Sequence, residues 1–230
     1  MRRVKQLMGM PITIDIPKTT GDKAFDAAYG RLTEIQDRFS PFKPKSELSR
    51  FRNGAIKRSE LSTEMKRVIK ACAAAKKMTG GYFSAYFDGE FNPTGYVKGW
   101  AIAEAGKQIE KCGFRTYCIG AGGDILARSD GKKIWKIGIQ NPRDKSKILD
   151  VLSISNGAVA TSGNYERGAH IINPKTGKPA EDLLSTTVVG PDIIKADILA
   201  TAAFAMGQKA VKFMEKQTGY EAIIIDKHKY

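Results

Sequence analysis

Thr116-Tyr-Cys-Ile119, Trp135-Lys-Ile-Gly-Ile139 and Leu149-Asp-Val-Leu-Ser-Ile154 are three short runs rich in β-branched and aromatic residues. Gly120-Ala-Gly-Gly123 follows the first as a tight connection, so the runs read as strands joined by turns. Thr186-Thr-Val-Val-Gly190 is a further strand, Ile193 to Met206 reads as a helix buried on most sides, and Glu221-Ala-Ile-Ile-Ile225 closes the sheet. Hairpins mixed with helices, without regular strand-helix alternation, predict an α+β fold with mixed, largely antiparallel sheets and packed helices.

Working towards the N-terminus, Phe25, Ala28, Leu32, Ile35 and Phe39 recur at helical spacing and predict an amphipathic helix from about Asp22 to Arg38. Pro41 and Pro44 then impose a loop, Ser40-Pro-Phe-Lys-Pro-Lys-Ser-Glu-Leu-Ser49, in which an exposed Phe42 can stack on a flat ring. Ser62 is a predicted N-cap for a helix reaching Met78, which Gly80-Gly81 stops. Asn92, Pro93 and Gly95 predict a turn, and Val97 to Lys111 a helix closed by Gly113.

The 230 residues suffice to bury a large core, and we expect residues 1–230 to form one domain. No apolar run approaches the ~20 residues that span a bilayer, so no membrane insertion is expected. The basic start, Met1-Arg-Arg-Val-Lys, precedes no apolar stretch of signal length, and the expected location is the cytoplasm. Cys72, Cys112 and Cys118 form no CxxC pair, which argues for reduced, mostly buried thiols rather than disulfides or zinc. The formal charge of +14 is spread along the chain without a dense tract or an aromatic-rich RNA or DNA signature. We therefore expect no nucleic-acid partner, and attraction towards an anionic dinucleotide or an acidic protein instead.

Candidate chemistry concentrates in Ala160-Thr-Ser-Gly163, His170-Ile-Ile-Asn-Pro174 and Ala196-Asp-Ile-Leu-Ala-Thr201. Asp197 and Thr201, four apart in a predicted helix, place two oxygens on one face, which suits a hard cation such as Mg2+ that also takes phosphate oxygens. The same spacing also allows Asp197 to serve only the helix dipole and Thr201 to bond back to its own helix. His170 is the one histidine outside the C-terminal tail, and a neutral imidazole accepts a proton near pH 7. Glycines at a helix start allow a phosphate or cation close to the main chain, and Lys98 in the first turn can reach such a ligand. Neither a dinucleotide-binding G-x-G-x-x-G nor a P-loop is present. Ala160-Thr-Ser-Gly163 lacks nucleophile-elbow spacing, and Thr161 to Gly163 read as a loop shaping a ligand pocket.

The order of these motifs resembles the FAD:protein FMN transferase (ApbE-like) family along nearly the whole chain. The likeness runs through Met8-Gly9-Met10, Ser46-Glu-Leu-Ser-Arg-Phe51, Gly80-Gly-Tyr-Phe83 and Asn92-Pro-Thr-Gly-Tyr-Val-Lys-Gly-Trp-Ala101. It continues through Gly122-Gly-Asp124, Ala160 to Gly163, His170 to Gly177, and Ala196-Asp197 with Thr201. The resemblance implies a T-fold-like flavin transferase architecture and transfer of FMN from FAD to a Ser or Thr hydroxyl of an acceptor flavoprotein, with AMP released. It implies Mg2+ held by Asp197, Thr201 and the backbone at Gly95, and His170 as the base. Met8, Phe42, Tyr82, Phe83, Ser84, Asn92 and Lys98 are the implied flavin and adenosine contacts. Two positions depart from the family's pattern: Phe42 stands where Tyr is common and loses a phenolic hydrogen bond, and Asn92 stands where Asp is common and lacks its charge. The acceptor motif of the family, roughly Asp-x-x-Ser/Thr-Gly-Ala-Ser/Thr, is absent from this chain, which makes another protein the implied substrate. The residues alone leave two other readings open: an FAD pyrophosphatase, in which water replaces the acceptor, and a noncatalytic flavin-binding protein.

Overall fold

A computed structural model describes residues 1–17, 19–87, 89–164 and 171–227. In chain order the elements are β1 (Arg2–Leu7), β2 (Met10–Asp15), α1 (Lys23–Phe39), α2 (Glu47–Arg52), α3 (Thr63–Met78), β3 (Tyr86–Phe87), β4 (Glu90–Phe91), α4 (Thr94–Lys111), β5 (Tyr117–Ala121) and β6 (Asp124–Arg128). They continue with β7 (Trp135–Gln140), β8 (Ile148–Ile154), β9 (Gly157–Gly163), β10 (Leu183–Gly190), α5 (Ile193–Met206), α6 (Ala210–Met214) and β11 (Glu221–Asp226).

Seven strands make one sheet in the order β1-β2-β5-β6-β9-β10-β11. Every neighbouring pair in it is antiparallel. This is the α+β, antiparallel architecture expected from the hairpin-rich pattern. Helices α1, α4 and α5 bury apolar faces against it: Phe25, Ala28, Leu32, Ile35 and Phe39 on α1 are all buried, as their spacing predicts. Helix α5 has eleven buried residues among its fourteen, so its polar side chains stand out as exceptions within an apolar element. The hairpin β7–β8 forms a separate two-stranded sheet, and Trp135, Ile137 and Ile139 pack with Ala127 and Val159 in a smaller core of their own.

Several boundaries differ from the sequence expectation for local reasons. Helix α4 begins at Thr94 rather than Val97, because Asn92 Oδ1 accepts from the Thr94 amide at 3.2 Å and its hydroxyl at 2.8 Å and so starts the helix earlier. Gly95 therefore lies in the first helical turn. Gly120 and Ala121 belong to β5, and the turn is only Gly122-Gly123, both at positive φ. Thr161, Ser162 and Gly163, expected as a loop, are the end of β9, where they pair with Thr187, Thr186 and Ser185 of β10. A short helix, α2, interrupts the expected 40–49 loop, started by the Ser46 hydroxyl accepting from the Ser49 amide. Helix α3 begins and ends where expected, with Ser62 Oγ capping the Met65 amide at 3.1 Å.

Candidate active site

The β1–β2 hairpin turns on Met8 and Gly9, with Leu7 paired to Met10 and φ values of 54° and 74°. Such two-residue turns need positive φ at both central positions, which glycine tolerates and methionine does not favour. The Met8 amide is held by Gln36 Oε1 of α1, so the neighbouring helix helps to fix the unfavourable conformation. This turn forms one wall of a cavity of about 1260 Å³. Phe42 stands at the same cavity, 91% exposed, free to close on a flat ring. Phe83, Ser84, Asn92, Gly95 and Lys98 line it from the α4 side, and Asp197 and Thr201 from α5. A cavity of this size exceeds the ~300–1,000 Å³ usual for drug-sized ligands and suits a longer molecule such as a dinucleotide.

Nine of the eleven residues singled out from the sequence are thus brought to one cavity. Tyr82 is not in its wall: the ring is turned to Lys175, whose Nζ lies 4.2 Å from the ring centroid. His170 lies outside the described residues. The chain on either side of it, at Gly163 and Ile171, forms part of the cavity wall.

At the floor of the cavity, Lys98 Nζ is 2.7 Å from Asp124 Oδ2 and 3.3 Å from Asp197 Oδ1. Asp197 Oδ2 accepts from the Gly99 amide at 3.1 Å, and Asp124 Oδ1 accepts from the Thr161 amide at 3.3 Å. Both carboxylates are buried, at 0% and 2% exposure. Burial pushes both carboxyl pKa values up, and for Asp124 the charge of Asp197 adds to it; against the pull of Lys98, Asp124 still reaches about 7. Burial opposes the charge on Lys98, but the two carboxylates outweigh that and hold its pKa above the ordinary lysine value.

Asp197 lies in the second turn of α5, beyond the helix N-terminus that Asp192 caps, and its partners are on α4; the dipole is not its main partner. Thr201 shares a hydrogen bond with Ser162 Oγ of β9 at 3.2 Å, which directs its hydroxyl out of the helix towards the sheet. The Gly99 amide is the donor that an α-helix aims at the Gly95 carbonyl. Its bond to Asp197 draws on that donor and links the candidate carbonyl to the candidate carboxylate.

The donor set is all hard oxygen, and Asp197 borders the cavity with a carboxylate whose ammonium partner, Lys98, it shares with Asp124. These residues fit a small divalent cation such as Mg2+. Among the described residues no cluster of three His, Cys, Asp or Glu side chains exists, so a cation here would rely on hydroxyl, carbonyl and ligand oxygens beside Asp197.

Residues 8–89 and 88–224 match the ApbE family. The chain belongs to the ApbE family. Among relatives named FAD:protein FMN transferase, that of Escherichia coli (strain K12) is 30% identical over 142 residues, 56% of this chain and 40% of that protein. That of Buchnera aphidicola is 28% identical over 228 residues, 94% of this chain and 65% of that protein. The chain therefore spans less than two thirds of the length of these relatives. Two solved structures share the fold. The ApbE protein of Thermotoga maritima has a TM-score of 0.86 at 23% identity, covering 97% of this chain and 93% of that one. The flavin transferase ApbE of Vibrio cholerae has a TM-score of 0.84 at 22% identity, covering 99% and 93%.

In this ApbE-family chain two site residues carry no role in the sequence reading. Asp124 appears there only as the last residue of the Gly122-Gly-Asp124 motif of the family likeness, and Ser162 only as part of a loop shaping a ligand pocket. Their partners, Lys98 and Thr201, lie 26 and 39 residues away in sequence, beyond any local spacing rule. The available signal for Asp124 was a carboxylate directly after a glycine turn, opening a strand that reads as apolar (Ile125, Leu126, Ala127).

Proposed function

We propose that residues 1–230 act as one unit that transfers FMN from FAD to a Ser or Thr hydroxyl of an acceptor flavoprotein and releases AMP. The observation that carries this reading is the buried Asp124–Lys98–Asp197 constellation at the floor of a cavity of dinucleotide size, in a chain of this family. Mg2+, when bound, neutralises charge on the pyrophosphate and on the leaving phosphate. Asp197, Thr201 and the Gly95 carbonyl are the residues that would hold it. Lys98 presents an ammonium to the same cavity, where it stabilises negative charge that develops as the phosphorus–oxygen bond to AMP breaks.

Met8, Phe42 and Phe83 offer apolar surface for the flavin and adenine rings, and Ser84 and Asn92 polar edges. The Ser84 hydroxyl donates to the Tyr86 carbonyl and accepts from the Tyr86 amide, both at 3.1 Å, so it acts from a fixed position. The acceptor hydroxyl oxygen attacks the phosphorus on the FMN side; that bond forms, the bridge to AMP breaks, and the hydroxyl proton passes to a base. His170 is our assignment for that base, which typically contributes ~10²–10⁴ in rate.

All three cysteines are free, which suits a reducing compartment and supports a cytoplasmic location. Among the described residues no helix is long and apolar enough to cross a membrane.

The test is mass spectrometry of an acceptor domain carrying Asp-x-x-Thr-Gly-Ala-Thr after incubation with the protein, FAD and Mg2+, with AMP followed in parallel. An FMN adduct on Thr with matching AMP supports transfer. AMP and FMN without an adduct would indicate pyrophosphatase activity, and neither product would indicate flavin binding alone.

A further inference from the structure

Lys98 can be held at the cavity floor by one carboxylate or by two, and the difference decides whether Asp197 is available to a cation. Its Nζ lies nearer to Asp124 (2.7 Å) than to Asp197 (3.3 Å). Asp124 opens β6 beneath α4, wholly buried, with Oδ1 anchored by the Thr161 amide at 3.3 Å; its Oδ2 makes no other hydrogen bond. Asp197 is held through its other oxygen, Oδ2, by the Gly99 amide, and it borders the cavity, whereas Asp124 does not.

We propose that Asp124 is a positioning residue that draws the Lys98 ammonium away from Asp197 and keeps the Asp197 carboxylate open to a divalent cation. This rests on the reading that Asp197 holds that cation. A buried ammonium pairs with whatever carboxylate is in reach, because leaving it unpaired in a low-dielectric interior is costly. With Asp124 present, Lys98 has a nearer partner outside the cavity wall and does not depend on Asp197 alone. With that carboxylate neutralised, Asp197 becomes the sole counter-ion of Lys98, the pair is closed, and an incoming cation must displace an ammonium already in place.

The same geometry makes Asp124 and Lys98 a matched pair with respect to the cation. Removing the ammonium as well as the Asp124 charge returns Asp197 to its unpaired state, so the second substitution reverses the first. A pair needed only for folding would show such a reversal in the thermal melts, whereas a positioning role shows it in cation affinity.

The experiment is a Mn2+ titration of the full chain without FAD, followed by electron paramagnetic resonance, on wild type, Asp197→Ala, Asp124→Asn and Asp124→Asn/Lys98→Met, with thermal melts run on each. Asp124→Asn keeps the acceptor for the Thr161 amide and is expected to weaken Mn2+ binding by about 10- to 100-fold, the usual scale for residues that orient metal ligands. The double variant is expected to regain most of that loss while remaining slow in FMN transfer. Wild-type affinity in Asp124→Asn, or a double variant that binds no better than the single one, would overturn the role of Asp124. If Asp197→Ala binds Mn2+ as the wild type does, the metal reading itself fails, and the two failures are told apart.

Discussion

Replacing Gly99 by alanine separates what helix packing asks of the α4–α5 crossing from what the candidate cation site asks of it. Gly99 is helical, so a side chain brings no backbone strain, and alanine in a helix interior is favoured over glycine by about 1 kcal/mol. Against this, the new Cβ would stand 3.1 Å from Asp197 Oδ2, 3.2 Å from Asp197 Cβ and 3.2 Å from the Ile193 carbonyl. All three are closer than the ~3.5–4.0 Å at which non-bonded atoms attract. The obstacles are a backbone atom and a side chain held on both oxygens, so α4 and α5 must part by a few tenths of an ångström. Overpacking of this kind costs about 1–3 kcal/mol. The difference is a net loss of roughly 0–2 kcal/mol, or ~0–8 °C in melting temperature at 2–4 °C per kcal/mol for a chain of this length. The effect on the cation is larger, because the group pushed is the carboxylate and the bond stretched is its anchor to the Gly99 amide. We expect a ~10–100-fold loss of Mn2+ affinity. Gly106→Ala on the same helix is the control: its Cβ would meet Tyr117 Oη at 2.7 Å and Leu126 Cδ2 at 3.1 Å, away from Asp197. It is expected to lower the melting temperature at least as much and to leave Mn2+ titration unchanged. Wild-type Mn2+ affinity in Gly99→Ala, or equal losses in both variants, would show that the crossing at Gly99 does not set the position of the Asp197 carboxylate.

Asp197→Ala should abolish metal-dependent turnover, whereas His170→Ala should retain FAD binding and slow transfer by ~10²–10⁴; single-turnover kinetics with an acceptor domain decide, and full transfer by the histidine variant removes it as the base. Met8→Gly relieves a left-handed methionine, so the melting temperature should hold or rise by a few degrees while FAD binding, followed by flavin fluorescence, weakens through loss of apolar wall. Burial pushes the Cys72 and Cys118 thiols up to about 12, so at pH 8 roughly one in 10⁴ is thiolate and native-state alkylation should be slow at both. The unfolded chain releases these thiol protons near pH 9, before the folded one does, so stability should fall as pH rises from about 9 to 12; pH-dependent denaturant melts would show the slope.

Much of the fold is legible where a single element carries its own signal. Ser62 caps α3, the five apolar residues of α1 share one face, and the nearly unbroken apolar run of α5 foretells its burial. Strand β2 carries a signal as plain, with Met10, Ile12 and Ile14 buried in alternation, but Pro11 within it reads against a central strand. The structure resolves the conflict by starting the β2–β5 ladder at Ile12, so the missing Pro11 amide lies outside it. Strand β9 is hidden by its small residues, Gly157-Ala-Val-Ala-Thr-Ser-Gly163, which lack the bulk of the usual strand formers and pack instead under α5. In the site, Asp197 and Thr201 are visible because they are one helical turn apart. Asp124 and Ser162 come from two neighbouring strands, and only the β6–β9 pairing brings them beside Lys98 and Thr201.

The placement of charge argues against a merely structural role for the cluster. An ion pair that served packing would be matched one to one, and even then apolar residues of similar volume would often serve as well or better. Here Asp124 of β6 and Asp197 of the otherwise apolar α5 share the one ammonium of Lys98 from α4, and the close crossing at Gly99 allows the second carboxylate to approach at all. Burial penalises a second carboxylate charge and raises both carboxyl pKa values, so the pair is relieved by a proton or by a further cation, and either leaves the bonds from Gly99 and Thr161 in place.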